Sequence, residues 1–172
     1  MDVGTLRPAA NRMGSLNIRE PHPSDRETIA EMLRACGAFT DEEVRVALEL
    51  FDEGLNAGAA GDYPLFAAER DGTVRGYVCV GKTPLTRGTW HEYWICVHPA
   101  AQRQGVGRAL QAHAENFVRS RGGERLVLET SGRSAYARTR RFYRQSGYRV
   151  VGRIGDFYAP GDGCIVFCKV LA

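Results

Sequence analysis

No stretch of this chain is apolar for anything near the roughly 20 residues that cross a bilayer. Met1 to Gly14 holds no apolar segment of the kind a secretory signal needs. Neither a membrane-bound nor an exported protein is expected, and the cytoplasm is the expected location. The cysteines, Cys36, Cys79, Cys96, Cys164 and Cys168, are odd in number and include no Cys-x-x-Cys pair. That pattern argues against a disulfide framework and against a zinc site. Reduced thiols acting as small core side chains are expected, with no metal. Lysine is almost missing, occurring only at Lys82 and Lys169, so the basic charge is carried by arginine. The net charge of +3 is too small to argue by itself for a nucleic-acid partner.

What is present fits one soluble domain. The 172 residues suffice to bury a sizeable core, and the 25% of charged residues is ordinary for a globular surface. Residues 1–15 read as a flexible leader and 16–172 as the domain. Leu16–Glu20 is a candidate first strand. Ser24 and Glu27 are spaced as a capping box before Ile29, Met32, Leu33 and Cys36. Thr40 and Glu43 repeat the box before Val44, Ala47, Leu48, Phe51 and Leu55. Tyr63–Arg70, Val74–Lys82 and Thr89–Val97 then read as three strands of an antiparallel meander, with Asp71-Gly72 as a tight turn. A helix is predicted from Gly105 to Arg121, a buried strand at Leu126–Leu128, and a helix from Ser134 to Ser146. Two closing strands, Tyr148–Ile154 and Cys164–Val170, are expected to flank a loop from Asp156 to Gly163. The order β-α-α-β-β-β-α-β-α-β-β describes an α/β (α+β) layer architecture: a mixed, mostly antiparallel sheet flanked by helices.

The turn after the third meander strand is the most informative stretch. Ile95-Cys96-Val97 runs into Pro99, a polar turn, and a helix start punctuated by Gly105 and Gly107. A helix start carries unpaired N–H groups and the positive end of the helix dipole, so it receives anions. Arg103 and Arg108 add charge, and Gln104 to Arg108 would form the cradle. Two other phosphate folds are excluded. No Lys-Ser or Lys-Thr follows, as a Walker A loop requires, and Leu110 stands where a dinucleotide fingerprint needs its third glycine. Here the sequence resembles the GNAT superfamily of N-acetyltransferases, whose Q/R-x-x-G-x-G/A signature is met by Gln102-Arg-Gln-Gly105-Val-Gly107. The resemblance runs from about Leu16 to the C-terminus. It implies that Arg103, Gln104, Gly105, Val106, Gly107 and Arg108 bind the pyrophosphate of acetyl-coenzyme A. It also implies that the backbone of Ile95, Cys96 and Val97 holds the pantetheine arm.

Arg141-Phe142-Tyr143-Arg-Gln-Ser-Gly147-Tyr148 is similar to the F-Y-x-x-x-G-F/Y motif of the same family. By that resemblance Tyr143 is the acid that protonates the leaving thiolate, while Phe142 is core. Tyr136 stands where many members have asparagine. Glu92 is either a base that deprotonates the acceptor amine or an exposed strand-end carboxylate. By strand alternation it would share a face with Trp94 and Cys96 unless a bulge intervenes. Asp156 and Tyr158 are the candidate acceptor-binding residues, with Asp162 doing turn work only. The implied activity is acetyl transfer to a primary amine of a small molecule or peptide by direct attack in a ternary complex. A homodimer is expected from the resemblance and from aromatics near the last strands. Two alternatives are a non-catalytic acyl-coenzyme A sensor and a nucleic-acid binder. The binder would use Arg133, Arg138, Arg140, Arg141, Arg144, Arg149 and Arg153. A solvated face near the cofactor is the blander reading of that cluster, and no nucleic-acid or membrane partner is expected.

Overall fold

The computed structural model describes residues 14–171, so the leader expected over 1–15 lies almost wholly outside the described residues. The elements run β1 (Asn17–Arg19), α1 (Asp25–Ala35), α2 (Asp41–Ala57), β2 (Leu65–Arg70), β3 (Thr73–Lys82), β4 (Thr89–Val97), α3 (Val106–Ser120), β5 (Arg125–Ser131), α4 (Ala137–Gln145), β6 (Arg149–Ala159) and β7 (Asp162–Val170). The seven strands form one sheet in the order β1-β2-β3-β4-β5-β7-β6. Only the β4–β5 pair is parallel; the others are antiparallel. This is the mixed, mostly antiparallel sheet with flanking helices that the pattern predicts.

Local chemistry accounts for much of it. Asp71 and Gly72 both take positive φ, 53° and 70°, as a two-residue hairpin turn requires. The Thr40–Glu43 box forms in full: the Glu43 N–H donates to Thr40 Oγ1 at 3.2 Å, and the Thr40 N–H donates to Glu43 Oε2 at 2.7 Å. The box expected at Ser24 does not form. Ser24 has helical backbone angles and no capping bond from its side chain. The Asp25 side chain instead braces the turn before the helix, accepting from the His22 N–H at 2.7 Å and from Arg19 Nη1 at 2.7 Å. Arg19 also reaches Glu69 on β2, so a single guanidinium joins β1, β2 and α1.

The sheet separates two apolar layers. On one face Leu110, Ala114 and Val118 of α3 pack with Trp90, Leu126, Leu128 and Phe167. On the other, Ile29, Met32 and Leu33 of α1 and Val44, Ala47 and Phe51 of α2 pack with Tyr77, Cys79 and Cys96. The predicted loop from Asp156 to Gly163 is instead mostly strand. β6 and β7 separate at Ile154↔Cys164 and pair again at Ala159↔Asp162, leaving Pro160-Gly161 as the turn. Among the described residues, no helix is long and apolar enough to cross a membrane.

Candidate active site

The sheet parts where β4 meets β5. Their parallel pairing covers three positions and ends at His91↔Val127. Beyond it β4 continues to Val97 and β5 to Ser131 without pairing to each other. The parting coincides with a bulge. β3 residue Cys79 pairs with Trp94 and the next residue, Val80, with Glu92, so Tyr93 is the extra residue on β4. The bulge corrects the face expected for Glu92. Trp94 and Cys96 turn to the α1–α2 layer, while Glu92 points to the α3–α4 layer.

Glu92 is therefore not an exposed strand-end carboxylate. It is 3% exposed and held from two helices. The Tyr143 hydroxyl on α4 donates to Glu92 Oε1 at 2.9 Å, and Gln111 Nε2 on α3 donates to Glu92 Oε2 at 2.6 Å. Gln111 Nε2 also donates to the Tyr148 hydroxyl at 2.7 Å. Beyond Tyr148 lies Glu115, which accepts from Lys169 Nζ with both oxygens, at 2.8 and 2.7 Å. Burial pushes the Glu92 carboxyl up from 4.5 to about 7, although its two hydrogen bonds favour the ionised form. Burial, and then the neighbouring Glu92, hold Tyr143 well above its ordinary value. Near neutrality the pair thus combines a phenol that keeps its proton with a carboxyl that can accept or release one. Tyr143 is 5% exposed and packs on Tyr148 and Phe167, which fixes its ring.

The glycine turn lies at the other end of the opening. Gly105 is the N-cap of α3 with φ +85°, a left-handed backbone that favours glycine, and a Cβ there would meet nothing within 4 Å. The first helical bond runs from the Ala109 N–H to the Gly105 carbonyl, at 2.9 Å. The N–H groups of Val106, Gly107 and Arg108 precede that bond and have no partner within the helix. Gly107 faces Val97 and the Phe142 ring, 3.5 and 3.6 Å from where its Cβ would be. Phe142 thus packs over the helix start. Arg103, at φ +63°, and Arg108 are exposed. The Gln104 side chain braces the turn, accepting from Arg70 Nη1 at 2.9 Å and donating to the Ala100 carbonyl at 2.7 Å. An open left-handed glycine, a helix start and an unpaired strand edge suit a long, flexible, phosphate-bearing molecule. Among the described residues, no group of three or more His, Cys, Asp or Glu could hold a metal ion.

The other predicted residues fall around this opening in different ways. One Asp156 oxygen is engaged by the Gly161 N–H at 2.7 Å, so that side chain helps shape the hairpin. Tyr158 is about half exposed and stands edge-on to Phe157, with ring centres 4.9 Å apart. Asp162 does more than turn work. It is buried, accepts from Ser131 Oγ and lies 3.8 Å from Arg133, which ties β7 to the end of β5. The Tyr136 hydroxyl donates to the Ala38 carbonyl at 2.6 Å, joining the approach to α4 to the α1–α2 connection. Sequence reasoning missed Gln111. The signal was there: Gln111 and Glu115 interrupt the buried stripe of Leu110, Ala114 and Val118 at i, i+4 spacing.

Comparison with known proteins agrees with this geometry. The acetyltransferase (GNAT) family profile matches residues 26–148. A GNAT-family crystal structure from Desulfovibrio desulfuricans is 41% identical, with a TM-score of 0.87 over 92% of this chain and 100% of that one. A Salmonella typhimurium protein solved with its cofactor acetyl-CoA shares the fold, at 21% identity and a TM-score of 0.71 over 92% of this chain and 95% of that one. The mycothiol acetyltransferase of Beutenbergia cavernae is 37% identical over 68 residues, which is 40% of this chain and only 22% of that protein's length. With a profile match over more than half its length, and a sheet that parts beside a glycine-capped helix, the chain belongs to the GNAT family of acetyltransferases.

Proposed function

We propose that this chain transfers the acetyl group of acetyl-coenzyme A to a primary amine on a small molecule or peptide, by direct attack in a ternary complex. The observation that carries the reading is the Tyr143–Glu92 hydrogen bond, buried where β4 leaves β5. Glu92 takes a proton from the acceptor, directly or through water, and the amine nitrogen attacks the thioester carbon. A backbone N–H of the Cys96–Val97 segment stabilises the oxyanion. As the carbon–sulfur bond breaks, Tyr143 gives its proton to the thiolate, Glu92 returns the captured proton to Tyr143, and the surplus proton on the new amide nitrogen passes to water. Ile95, Cys96 and Val97 hold the pantetheine arm through their backbone. The turn from Arg103 to Arg108 holds the pyrophosphate, a role supported by the open Gly105 cap. Asp156 and Tyr158 take part in acceptor recognition, and Tyr158, with its exposed ring, is the stronger candidate. On this reading the catalytic unit is a single cytoplasmic domain over 16–172 that works without metal. Exposed Val151, Ile154 and Phe157 on edge strand β6 support pairing with a second copy.

The test is thiol release from acetyl-coenzyme A across a panel of amines: aminoglycosides, polyamines, amino acids and peptide N-termini. Steady release with at least one amine is expected. Tight cofactor binding with no release for any of them would favour the acyl-coenzyme A sensor instead.

A further inference from the structure

Two cysteines from distant parts of the chain meet behind the opening. Cys36 is the C-cap of α1 and Cys96 lies on β4, 60 residues later, yet their Sγ atoms are 2.9 Å apart. Cys36 Sγ also lies 3.5 Å from the Val97 carbonyl, and Cys96 Sγ lies 3.9 Å from the Met32 carbonyl. Cys36 is half-buried and Cys96 buried. Both are thiols, and the proposed chemistry of acetyl transfer uses neither.

We propose that Cys36 and Cys96 form an oxidisable dithiol, which hydrogen peroxide converts to an intramolecular disulfide joining the end of α1 to β4. The sulfurs need approach by less than about 1 Å to reach bonding distance, which is within side-chain adjustment. Cys36 is the attacking thiol. It is the more accessible, and its hydrogen-bonding contact with Cys96 lowers its pKa. Its thiolate attacks one peroxide oxygen, the O–O bond breaks, and a sulfenic acid forms with loss of hydroxide. The Cys96 sulfur then attacks Cys36 Sγ. The S–O bond breaks, and the departing oxygen leaves as water with the Cys96 proton. Each sulfur is oxidised by one electron, and the peroxide is reduced to two waters. The bond would fix the C-terminal end of β4 from the face opposite Glu92. It would close a loop running through α2, β2 and β3, a constraint that chiefly restricts the unfolded chain. Dithiol reductants reverse it.

The site can be tested without reference to acetyl transfer. The full chain is reduced, freed of reductant anaerobically and treated with stoichiometric hydrogen peroxide. Titratable thiols under denaturing conditions should fall from five by two. The intact mass should drop by about 2 Da, the two thiol hydrogens. A non-reducing digest should give one new linked pair, containing Cys36 and Cys96, and the melting temperature should rise until dithiothreitol is added. Cys36→Ser and, separately, Cys96→Ala should each abolish the linked pair, whereas Cys168→Ser should leave it intact. Five persisting thiols, a linked pair of other cysteines, or disulfides between molecules would each overturn the assignment.

Discussion

The Tyr143 hydroxyl and the Glu92 carboxylate are bonded directly, at 2.9 Å, across the gap between helix α4 and strand β4. On the proposed mechanism, the group that receives the acceptor's proton is thus hydrogen-bonded to the group that delivers one to sulfur. The two residues lie 51 positions apart in the chain, and Gln111 restrains the far oxygen of the carboxylate.

Replacing Tyr143 by Phe should lower kcat about 10²–10⁴-fold, the usual worth of a positioned general acid. Acetyl-coenzyme A affinity, measured by calorimetry, should not change. The lost hydrogen bond favours ionised Glu92, so its pKa should rise and the ascending limb of the pH–rate profile should move to higher pH. A limb that stays in place would separate the two residues functionally.

Glu92→Gln should remove the limb that rises through about pH 7 in the parent protein. Activity should recover in part at alkaline pH, where the acceptor loses its proton unaided. Stability gives a second readout. The folded state holds the Glu92 proton up to about 7, while the unfolded chain releases it near 4.5. The stability of the protonated, buried form is complete below the lower value and is lost as pH rises through the higher one, by an amount on the order of 3 kcal/mol. Melting curves of the parent protein should show this decline, and those of Glu92→Gln should not.

Gly105→Ala should cost about 1 kcal/mol of stability, because φ +85° is unfavourable for any residue with a Cβ. Gly105→Glu adds an anion at the helix start and should abolish acetyl-coenzyme A binding. Unchanged affinity in the glutamate variant would move the cofactor phosphates elsewhere.

Tyr136→Phe removes only the hydroxyl that bonds the Ala38 carbonyl. The expected loss is about 1 kcal/mol by denaturant titration, an ordinary net value for one hydrogen bond. Acetyl-coenzyme A affinity should hold. A fall in that affinity would mean that the Tyr136 hydroxyl itself contacts the cofactor.

Tyr158→Ala should raise KM for the amine several-fold with cofactor affinity intact. Asp156→Asn, which alters a group bonded within the hairpin, should act less on KM and more on melting temperature. The reverse ranking would identify Asp156 as the acceptor contact.

Much of this was legible in the residues themselves. Thr89–Val97 is a strand over its full predicted length, and the Asp71-Gly72 turn and the Thr40 box follow from local chemistry alone. The failures arise where contacts that composition and alternation do not encode set the structure. The Ser24 box does not form, and the neighbouring Asp25 carboxylate instead ties the turn before α1 to Arg19. Asp156 to Gly163 is rich in Asp, Gly and Pro and reads as loop, yet the ladder resumes at Ala159↔Asp162. The environment of Glu92 could not be read from alternation because the bulge at Tyr93 reverses the phase of β4. Its partners come from α3 and α4, which no local pattern on β4 encodes.

The three rungs between β4 and β5 have a mechanical consequence. Among the described residues they are the only strand pairing that joins the β1–β4 half of the sheet to the β5–β7 half, so the sheet carries a zipper left partly undone. A ligand arm lying along β4 would supply rungs that the polypeptide lacks. Amide hydrogens on the β5-facing edge of β4 beyond His91 should therefore exchange quickly in the free protein and slow sharply once the co-substrate is added. Co-substrate binding to the folded state alone should also raise the melting temperature as its concentration increases.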